Sequence, residues 1–455
     1  MPKDAQADPP LLRPAAPVPP PHKDTGVSWF NYLKGGANPL QVWNERMYHQ
    51  PIYMVPLGPV KIFHVNDPEL AEMILQDKSG RFVRSKLQAE SIDTILGKGL
   101  LSVDGQEWRE QRKILAPVFQ PRQTAAFEEE MRASTKRLIN RWKAKPPKRP
   151  LNIIKPTSQL TLEFIANALF GGLSDEHHGL LANKTDQGLN RMPWLTAAQL
   201  MNPIKSLNQR LSEWTFSKQI SLLDDLAEDF VERYRAHPEH FKNSLLARIV
   251  EAQESADGRL IDKTFVRDQT ATFLLAGHET TGKALAFTLY CLSIDKARRE
   301  KLLKELDQEG ENSVYLDWVI KEALRLYPPA VIISRDTVED MVIGDRQVPK
   351  GSTVMISPWL SQRNTKLWEH SDRFWPERWE TEELRGNRRY SYLPFGAGPR
   401  VCIGMGLALM EMKIMLTGLL QNFTFDHWSE KPVEPAVAVT LASKTGIWMK
   451  VSERV

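Results

Sequence analysis

Hydrophobic residues recur every three or four positions through most of the chain, the spacing that places them on one face of an α-helix. This periodicity runs from Gln106 to Leu306 and is interrupted by loops rich in proline or glycine near residues 145–150 and 171–179. Within it, the stretch from about Phe265 to Leu292 is predicted to form one apolar helix. The pattern therefore predicts a protein that is mainly α-helical.

Short β-rich runs appear towards both ends of the chain. From Tyr53 to Val65 the pattern alternates loosely around proline and glycine, which predicts a hairpin. Asp67-Pro68 then marks the start of a helix, since aspartate caps helix N-termini and proline is tolerated in the first turn. Strand signals return at residues 340–356 and 437–451. We therefore expect a small β region beside the helical body.

The composition is that of an ordinary globular protein. Of 455 residues, 42% are hydrophobic and 25% are charged, which is enough apolar material for a large core. The net charge of +4 includes no dense basic block, so we expect no nucleic-acid partner. The two cysteines, Cys291 and Cys402, exclude a disulfide framework and favour a reducing cytoplasm.

Residues 1–25 are rich in proline and alanine. They have neither the basic start nor the continuous apolar core of a signal peptide or a membrane anchor. We predict a flexible tail without a membrane anchor, followed by one domain over residues 26–455.

Cys402 lies in a glycine-rich segment at residues 395–404, Phe-Gly-Ala-Gly-Pro-Arg-Val-Cys-Ile-Gly. Its glycines let the backbone approach a large flat ligand, and the apolar periodicity after Gly404 predicts a helix. The N-terminus of that helix would stabilise a thiolate, the form of sulfur that binds metal. The alternative is an inert buried cysteine, which is the interpretation we favour for Cys291.

The segment resembles the cysteine loop of the cytochrome P450 family, whose pattern is Phe-x-x-Gly-x-Arg-x-Cys-x-Gly. Every fixed position is filled, by Phe395, Gly398, Arg400, Cys402 and Gly404. The resemblance implies haem b as cofactor, with Cys402 as the proximal ligand of the iron, Arg400 facing a propionate and Phe395 packed against the thiolate. It also implies one triangular domain, mainly α with a small β region.

A second segment, Ala-Gly-His-Glu-Thr-Thr at residues 276–281, puts polar side chains in the middle of the apolar helix. It does not carry the histidine pair of a zinc protease, because Gly282 stands four positions after His278. By resemblance, Thr280 donates a hydrogen bond to dioxygen and Glu279 relays protons to it. The alternative for Thr280 is a bond to the carbonyl one turn earlier, which bends a helix.

Glu322 and Arg325 lie one helical turn apart, just before two prolines. The family carries Glu-x-x-Arg here and closes a network with an arginine of a later loop. Arg378 matches that arginine, and Trp379 stands where phenylalanine is commoner. The resemblance implies a structural network that supports the cysteine loop, whereas an isolated pair would be solvated and contribute little.

Further residues are assigned by resemblance alone. Trp108 and Arg112 match a Trp-x-x-x-Arg pair that binds a haem propionate, and Arg335 matches another propionate ligand. The candidate substrate-pocket residues, for which core packing is the alternative, come from the helix, the loop at 82–100 and the β region: Phe82, Phe273, Ala276, Ala330, Val331 and Val439.

The chain contains no Gly-x-Gly-x-x-Gly after a predicted strand, so we expect no nicotinamide or flavin domain and predict that the electrons come from external donors. Arg109, Lys113, Arg388 and Arg389 would form a basic face that attracts an acidic ferredoxin. We expect a ferredoxin or flavodoxin-type donor with its reductase, and a monomeric enzyme.

The combined pattern predicts a monooxygenase that reduces dioxygen and inserts one oxygen atom into an apolar small molecule. The sequence is similar to branches acting on fatty acids or terpenoids. One alternative is a peroxide-driven peroxygenase of the same fold, disfavoured because Glu279 and Thr280 retain a proton relay. Another is a non-catalytic haem-thiolate sensor or carrier, which would not need proton delivery.

Overall fold

The structure is a computed structural model that describes residues 38–454, apart from positions 39, 41–42, 58–59, 87–92, 173–204, 242–243, 258–261, 382–385, 429, 431–432 and 438. The predicted tail at residues 1–25 lies outside the described residues. The α-helices are α1 Glu45–His49, α2 Pro68–Leu75, α3 Gly105–Leu115, α4 Pro121–Thr124, α5 Glu128–Ala144, α6 Ile154–Phe170, α7 Lys205–Ala236, α8 Leu245–Asp257, α9 Lys263–Ile294, α10 Lys296–Glu309, α11 Val314–Leu326, α12 Pro358–Ser361, α13 Arg378–Thr381 and α14 Met405–Asn422.

Within the described ranges, the strands are short and form four small sheets. They are β1 Ile52–Leu57, β2 Val60–Val65, β3 Phe82–Arg84, β4 Leu151–Asn152, β5 Ile333–Thr337, β6 Met341–Ile343, β7 Arg346–Val348, β8 Thr353–Ile356, β9 Phe423–His427, β10 Pro435–Val437, β11 Leu441–Ser443 and β12 Trp448–Glu453. The largest sheet has the order β1-β2-β8-β5-β3. The prediction of a mainly α protein with a small β region is confirmed.

Local signals account for the first elements. The predicted hairpin forms as β1 and β2, which pair antiparallel from Ile52 opposite Val65 to Leu57 opposite Val60. The Asp67 carboxylate then accepts hydrogen bonds from the N–H groups of two residues in the first turn of α2, at 2.9 and 3.0 Å. Both predictions made from this part of the sequence are confirmed.

The core is built around α9, which packs most extensively against α6 and also contacts α7, α11 and α14. Glycine is required at one crossing point, because a Cβ on Gly282 would lie 2.6 Å from the Cα of Ser158. At the same crossing the Thr161 hydroxyl donates to the carbonyl of His278 over 2.7 Å. The α6–α9 contact therefore fixes the segment predicted to face dioxygen.

Strands β3 and β4 were not predicted from the sequence. Strand β3 pairs with β5, Phe82 opposite Thr337, and β4 pairs with β12, Leu151 opposite Met449. Both are only two or three residues long and take their structure from partners far away in the sequence. Among the described residues, no helix is long and apolar enough to cross a membrane.

Candidate active site

The segment that contains Cys402 forms a compact loop before α14. The Cys402 N–H donates to the carbonyl of Phe395 over 2.9 Å, and the Val401 N–H donates to the carbonyl of Gly398 over 3.0 Å. Gly398 has a φ of +72°, and a Cβ there would lie 2.0 Å from the carbonyl oxygen of Leu75. Only glycine lets the loop pass α2 so closely, so these contacts fix the position of Cys402.

The Cys402 side chain is exposed, yet protein surrounds it. Burial raises the pKa of the thiol, although the Gly404 N–H and the charge of Arg112 act to lower that pKa. A side chain that lines a recess is expected to show both properties, because part of its surface stays accessible while the surrounding protein displaces most of the water. The sequence predicted that the helix N-terminus stabilises a thiolate; the Gly404 N–H, directly before the first residue of α14, Met405, acts in that direction and burial acts against it.

Helix α9 has an accessible point in its middle. Ala276 is exposed and Thr280 is half-buried, whereas the neighbouring turns are buried. The Thr280 hydroxyl donates to the Ala276 carbonyl over 2.7 Å, which is the alternative stated from the sequence. The hydroxyl oxygen keeps lone pairs that can accept a hydrogen bond. Gly277 faces the other way, since a Cβ there would lie 3.0 Å from Ile165.

Glu279 is buried and forms an ion pair with Lys283 on the next turn of α9. The Lys283 ammonium also donates to the Thr440 hydroxyl over 2.7 Å. Among the described residues, the second carboxylate oxygen of Glu279 has no hydrogen-bond partner. Lys283 and Thr440 were missed from the sequence, although a Glu–Lys spacing of four within an apolar helix could have indicated Lys283.

Arg112, Arg335 and Arg400 form a cluster of positive charge beside the cysteine loop. Burial lowers the pKa of Arg335 to about 10, Arg400 lowers that pKa further, and Asp104 opposes the shift. Burial also lowers the pKa of Arg400. The charge of Asp104 acts to raise that pKa, and repulsion from Arg112 acts to lower it. Arg400 donates to Asp104, and its guanidinium lies 4.4 Å from the centre of the Trp108 ring. This cluster holds more positive charge than Asp104 balances.

These features fit iron protoporphyrin IX, a flat ligand with a central metal ion and two propionates. Cys402 offers a sulfur atom, and haem iron accepts a cysteine thiolate as a ligand. The arginine cluster offers the bidentate donors that carboxylates prefer. A Cβ on Gly404 would meet no atom within 4 Å, so the loop has an open side, and Ala276 supplies a second exposed surface on α9.

Val439 is one of the predicted pocket residues, and it lies in a small apolar cluster that Ile95 joins to the main core. The cluster is centred on Phe216 of α7, which is fully buried. Ile95 belongs to the loop at 82–100, which the sequence also assigned to the pocket, whereas the members from α7 other than Phe216 were not indicated. The half-buried members are Ile95, Leu211, Ile220 and Val439.

The remaining pocket candidates occupy different environments. Phe82 is buried in a second core cluster formed by the β region. Phe273 packs against Phe119, with the ring centres 5.1 Å apart, and Val331 is buried in the main core. Ala330 is exposed. Packing therefore accounts for Phe82, Phe273 and Val331, while Ala276 and Ala330 present accessible surface.

The structure brings Glu322, Arg325 and Arg378 together, and all three side chains are buried. Arg325 donates two hydrogen bonds to the Glu322 carboxylate, at 2.8 and 2.9 Å, and Arg378 donates one at 3.1 Å. The indole N–H of Trp379 donates to the same carboxylate over 3.1 Å. This bond gives a physical reason for tryptophan here, since phenylalanine has no donor.

Comparisons with known proteins give the same picture over nearly the whole chain. The sequence model of the family described as Cytochrome P450 matches residues 19–448. Cyclooctatin synthase of Streptomyces melanosporofaciens is 28% identical over 415 residues, covering 87% of this chain and 86% of the relative. The chloroplastic protein LUTEIN DEFICIENT 5 of Arabidopsis thaliana is 27% identical over 441 residues, covering 89% and 72%.

Another relative is named for its reaction. Cyclooctat-9-en-7-ol 5-monooxygenase of Streptomyces melanosporofaciens is 29% identical over 415 residues, covering 87% of this chain and 86% of the relative. The family binds haem through a cysteine thiolate and requires dioxygen and a redox partner. Together with the fit of the cysteine loop and the arginine cluster, the match shows that the chain belongs to the cytochrome P450 family of haem-thiolate monooxygenases.

Proposed function

We propose that this monooxygenase oxidises a terpenoid or another lipid, in the cytoplasm, as a monomer. The observation that carries the proposal is that Cys402 presents accessible sulfur and that Ala276 and Thr280 present accessible surface on α9. The apolar cluster around Phe216 and Val439 offers a surface for an apolar substrate. The names of the two Streptomyces relatives refer to cyclooctatin and cyclooctat-9-en-7-ol, which favours a terpenoid.

Cys402 is the residue that would ligate the iron, because the other cysteine, Cys291, is fully buried within α9. Arg112, Arg335 and Arg400 would hold the propionates through charge-assisted hydrogen bonds. When bound, haem supplies the redox chemistry by which dioxygen is reduced, one oxygen atom entering the substrate and the other leaving as water.

Thr280 and Glu279 are proposed to deliver the two protons that this reduction consumes. The Thr280 hydroxyl is the polar group on the accessible part of α9, and it can accept from one neighbour while donating to another. Glu279 offers a buried oxygen without a partner among the described residues, so it can bind the proton that Thr280 next receives. Positioned groups of this kind contribute ~10²–10⁴-fold to a rate.

We expect Thr280→Ala to lower product formation by ~10²-fold while dioxygen is still consumed, because electrons arrive but protons do not. Dioxygen uptake, hydrogen peroxide release and product are measured together. Thr288→Val is the matched control, since Thr288 makes the same backbone hydrogen bond, at 2.8 Å, from a fully buried position two turns later on α9. An unchanged ratio of product to dioxygen in Thr280→Ala contradicts the proposed delivery.

The electron donor is proposed to be an acidic ferredoxin or flavodoxin that docks beside the cysteine loop. Arg109 and Lys113 are exposed on α3, the helix whose Trp108 contacts Arg400 of that loop. Arg388 is exposed on the segment that packs against α2, which in turn contacts the loop. Positive charge here would attract an acidic partner over a distance of several ångströms.

The double variant Arg109→Glu/Lys113→Glu is expected to slow reduction by ferredoxin about 10-fold at low salt, because electrostatic steering is reversed. Stopped-flow reduction is measured at several ionic strengths, and the difference from the unmodified enzyme closes as salt screens the charges. Arg235→Glu, on α7, is the control. If the double variant and the unmodified enzyme are reduced at equal rates at low salt, this docking surface is excluded.

The substrate class is tested by spectral titration of the haem-loaded enzyme with terpenoid alcohols, terpene hydrocarbons and fatty acids. Terpenoids are expected to give saturable shifts of the Soret band. Turnover of the binding compounds is then compared with a ferredoxin system and with hydrogen peroxide. Turnover with peroxide alone would favour a peroxygenase, and binding without any product would favour a sensor or carrier.

A further inference from the structure

The Glu279–Lys283 pair joins the proposed proton relay to a different part of the molecule. Lys283 is 7% exposed and Glu279 is 4% exposed, so both charges are out of water. The ammonium bridges the Glu279 carboxylate and the Thr440 hydroxyl, which is 157 residues away in the sequence from Lys283. Burying two charges costs several kcal/mol each before their attraction is counted, so packing alone does not favour this arrangement.

Thr440 belongs to the turn that leads into β11, which also carries Val439, one of the predicted pocket residues. Its neighbour Val439 packs against Phe216. On the other side, the Leu441 N–H donates to the carbonyl of Pro329 over 2.8 Å, next to the exposed Ala330. A substrate that contacts Val439 or Ala330 would therefore press on the segment that holds the Lys283 ammonium.

The same bridge sets the direction of the Glu279 carboxylate. Glu279 and Lys283 are four residues apart and share one face of α9, whereas Thr280 lies about 100° further around the helix. Among the described residues, no hydrogen bond joins Glu279 to Thr280, since Thr280 donates to Ala276. The bridge holds one carboxylate oxygen of Glu279 and leaves the second without a partner among the described residues, where it is proposed to serve the relay.

We propose that Lys283 is a positioning residue that links the turn carrying Val439 and Thr440 to Glu279, so that substrate packed on this turn controls proton delivery. The inference rests on the proposed roles of Glu279 and Thr280. For this role Lys283 needs no contact with substrate or cofactor. It acts by holding the carboxylate, and the Thr440 hydroxyl is the contact through which the position of the turn reaches it.

Thr440→Val tests the link, because valine keeps the shape of the side chain and removes the hydroxyl. Hydrogen bonds to charged groups are strong enough to bias two side-chain orientations by roughly tenfold. We expect the fraction of dioxygen converted to product to fall ~10-fold, while the Kd of the substrate from spectral titration and the haem content stay unchanged. Thr440→Ser, which keeps a hydroxyl, is expected to restore the fraction.

A purely structural role predicts a different result, in which stability and haem content fall and the fraction of dioxygen converted to product does not. Thr288→Val serves again as the control for loss of a buried threonine hydroxyl. If Thr440→Val converts dioxygen to product as well as the unmodified enzyme does, the inference is wrong.

Lys283→Met leaves a buried carboxylate without its cation and can fail to fold, so the double variant Lys283→Met/Glu279→Gln, with no buried charge, accompanies it. The double variant is expected to fold and to lose product to the same extent as Glu279→Gln alone. If Glu279→Gln and Thr280→Ala have no effect, the proposed proton delivery fails. If they uncouple turnover and the Thr440 and Lys283 variants do not, only the role of Lys283 fails.

Discussion

Replacing Cys402 with serine is expected to abolish turnover and the strongly red-shifted Soret band of the reduced, carbon monoxide-bound enzyme. A serine hydroxyl stays protonated at neutral pH and is a harder ligand than sulfur, so it does not push electron density onto iron as a thiolate does. Loss of a partner that only supports a metal ligand costs up to ~10²-fold in activity, and loss of the ligand itself should cost more.

Absorbance spectra and product analysis of the purified variant check this result. Cys291→Ser is the matched control, because Cys291 is the only other cysteine and lies fully buried in α9. We expect this variant to keep the red-shifted band and to lose only a modest amount of stability, since a small polar group is buried. A normal band in Cys402→Ser would show that Cys402 is not the iron ligand.

The features that could be predicted from the sequence are those specified by neighbours along the chain. The hairpin at β1 and β2, the Asp67 cap and the long helix α9 follow from local pattern, and their bounds in the structure differ from the predicted ones by a few residues at most. Strand β9 also had a local signal, because Phe423 and Phe425 alternate with more exposed residues, but it follows α14 directly and was missed.

The features that could not be predicted depend on contacts between distant parts of the chain. Arg400 pairs with Asp104 across 296 positions, and the Leu75 carbonyl, far away in the sequence, leaves no room for a Cβ on Gly398. The family resemblance assigned a role to each residue of the quoted motifs, but it gave no indication of the Lys283–Thr440 contact. That contact joins residues outside the quoted motifs, so only the fold reveals it.

Replacing Glu322 with glutamine is expected to lower the free energy of unfolding by ~3–5 kcal/mol, because two buried guanidiniums lose their shared counter-ion. Glu322 is fully buried and also accepts a hydrogen bond from the Trp375 N–H over 3.0 Å. The guanidinium of Arg325 further donates to the carbonyls of Gln362 and Ser371, both at 2.7 Å. Loss of the charge thus loosens several segments together, and haem content should fall with stability.

Acidification should remove most of the stability difference between the unmodified protein and Glu322→Gln. Burial acts to raise the pKa of Glu322, but Arg325 and Arg378 outweigh it and hold that pKa below its ordinary value of 4.5. A carboxylate with a lowered pKa stabilises the fold above its ordinary pKa and loses that contribution as pH falls through the folded-state pKa. The unmodified protein should therefore lose stability towards acid more steeply than Glu322→Gln does, and their unfolding free energies should converge.

Urea unfolding from neutral to acidic pH, with haem content measured on the same samples, tests both expectations. Asp307→Asn is the control: it makes the same acid-to-amide change, but Asp307 pairs with Arg454 at the surface, where an ion pair contributes about 0–1 kcal/mol. If Glu322→Gln and Asp307→Asn lower the free energy of unfolding by the same small amount at neutral pH, the Glu322 network does not support the cysteine loop. If Glu322→Gln loses haem while its substrate preference is kept in the remaining holoenzyme, the network stabilises the fold and does not select the substrate.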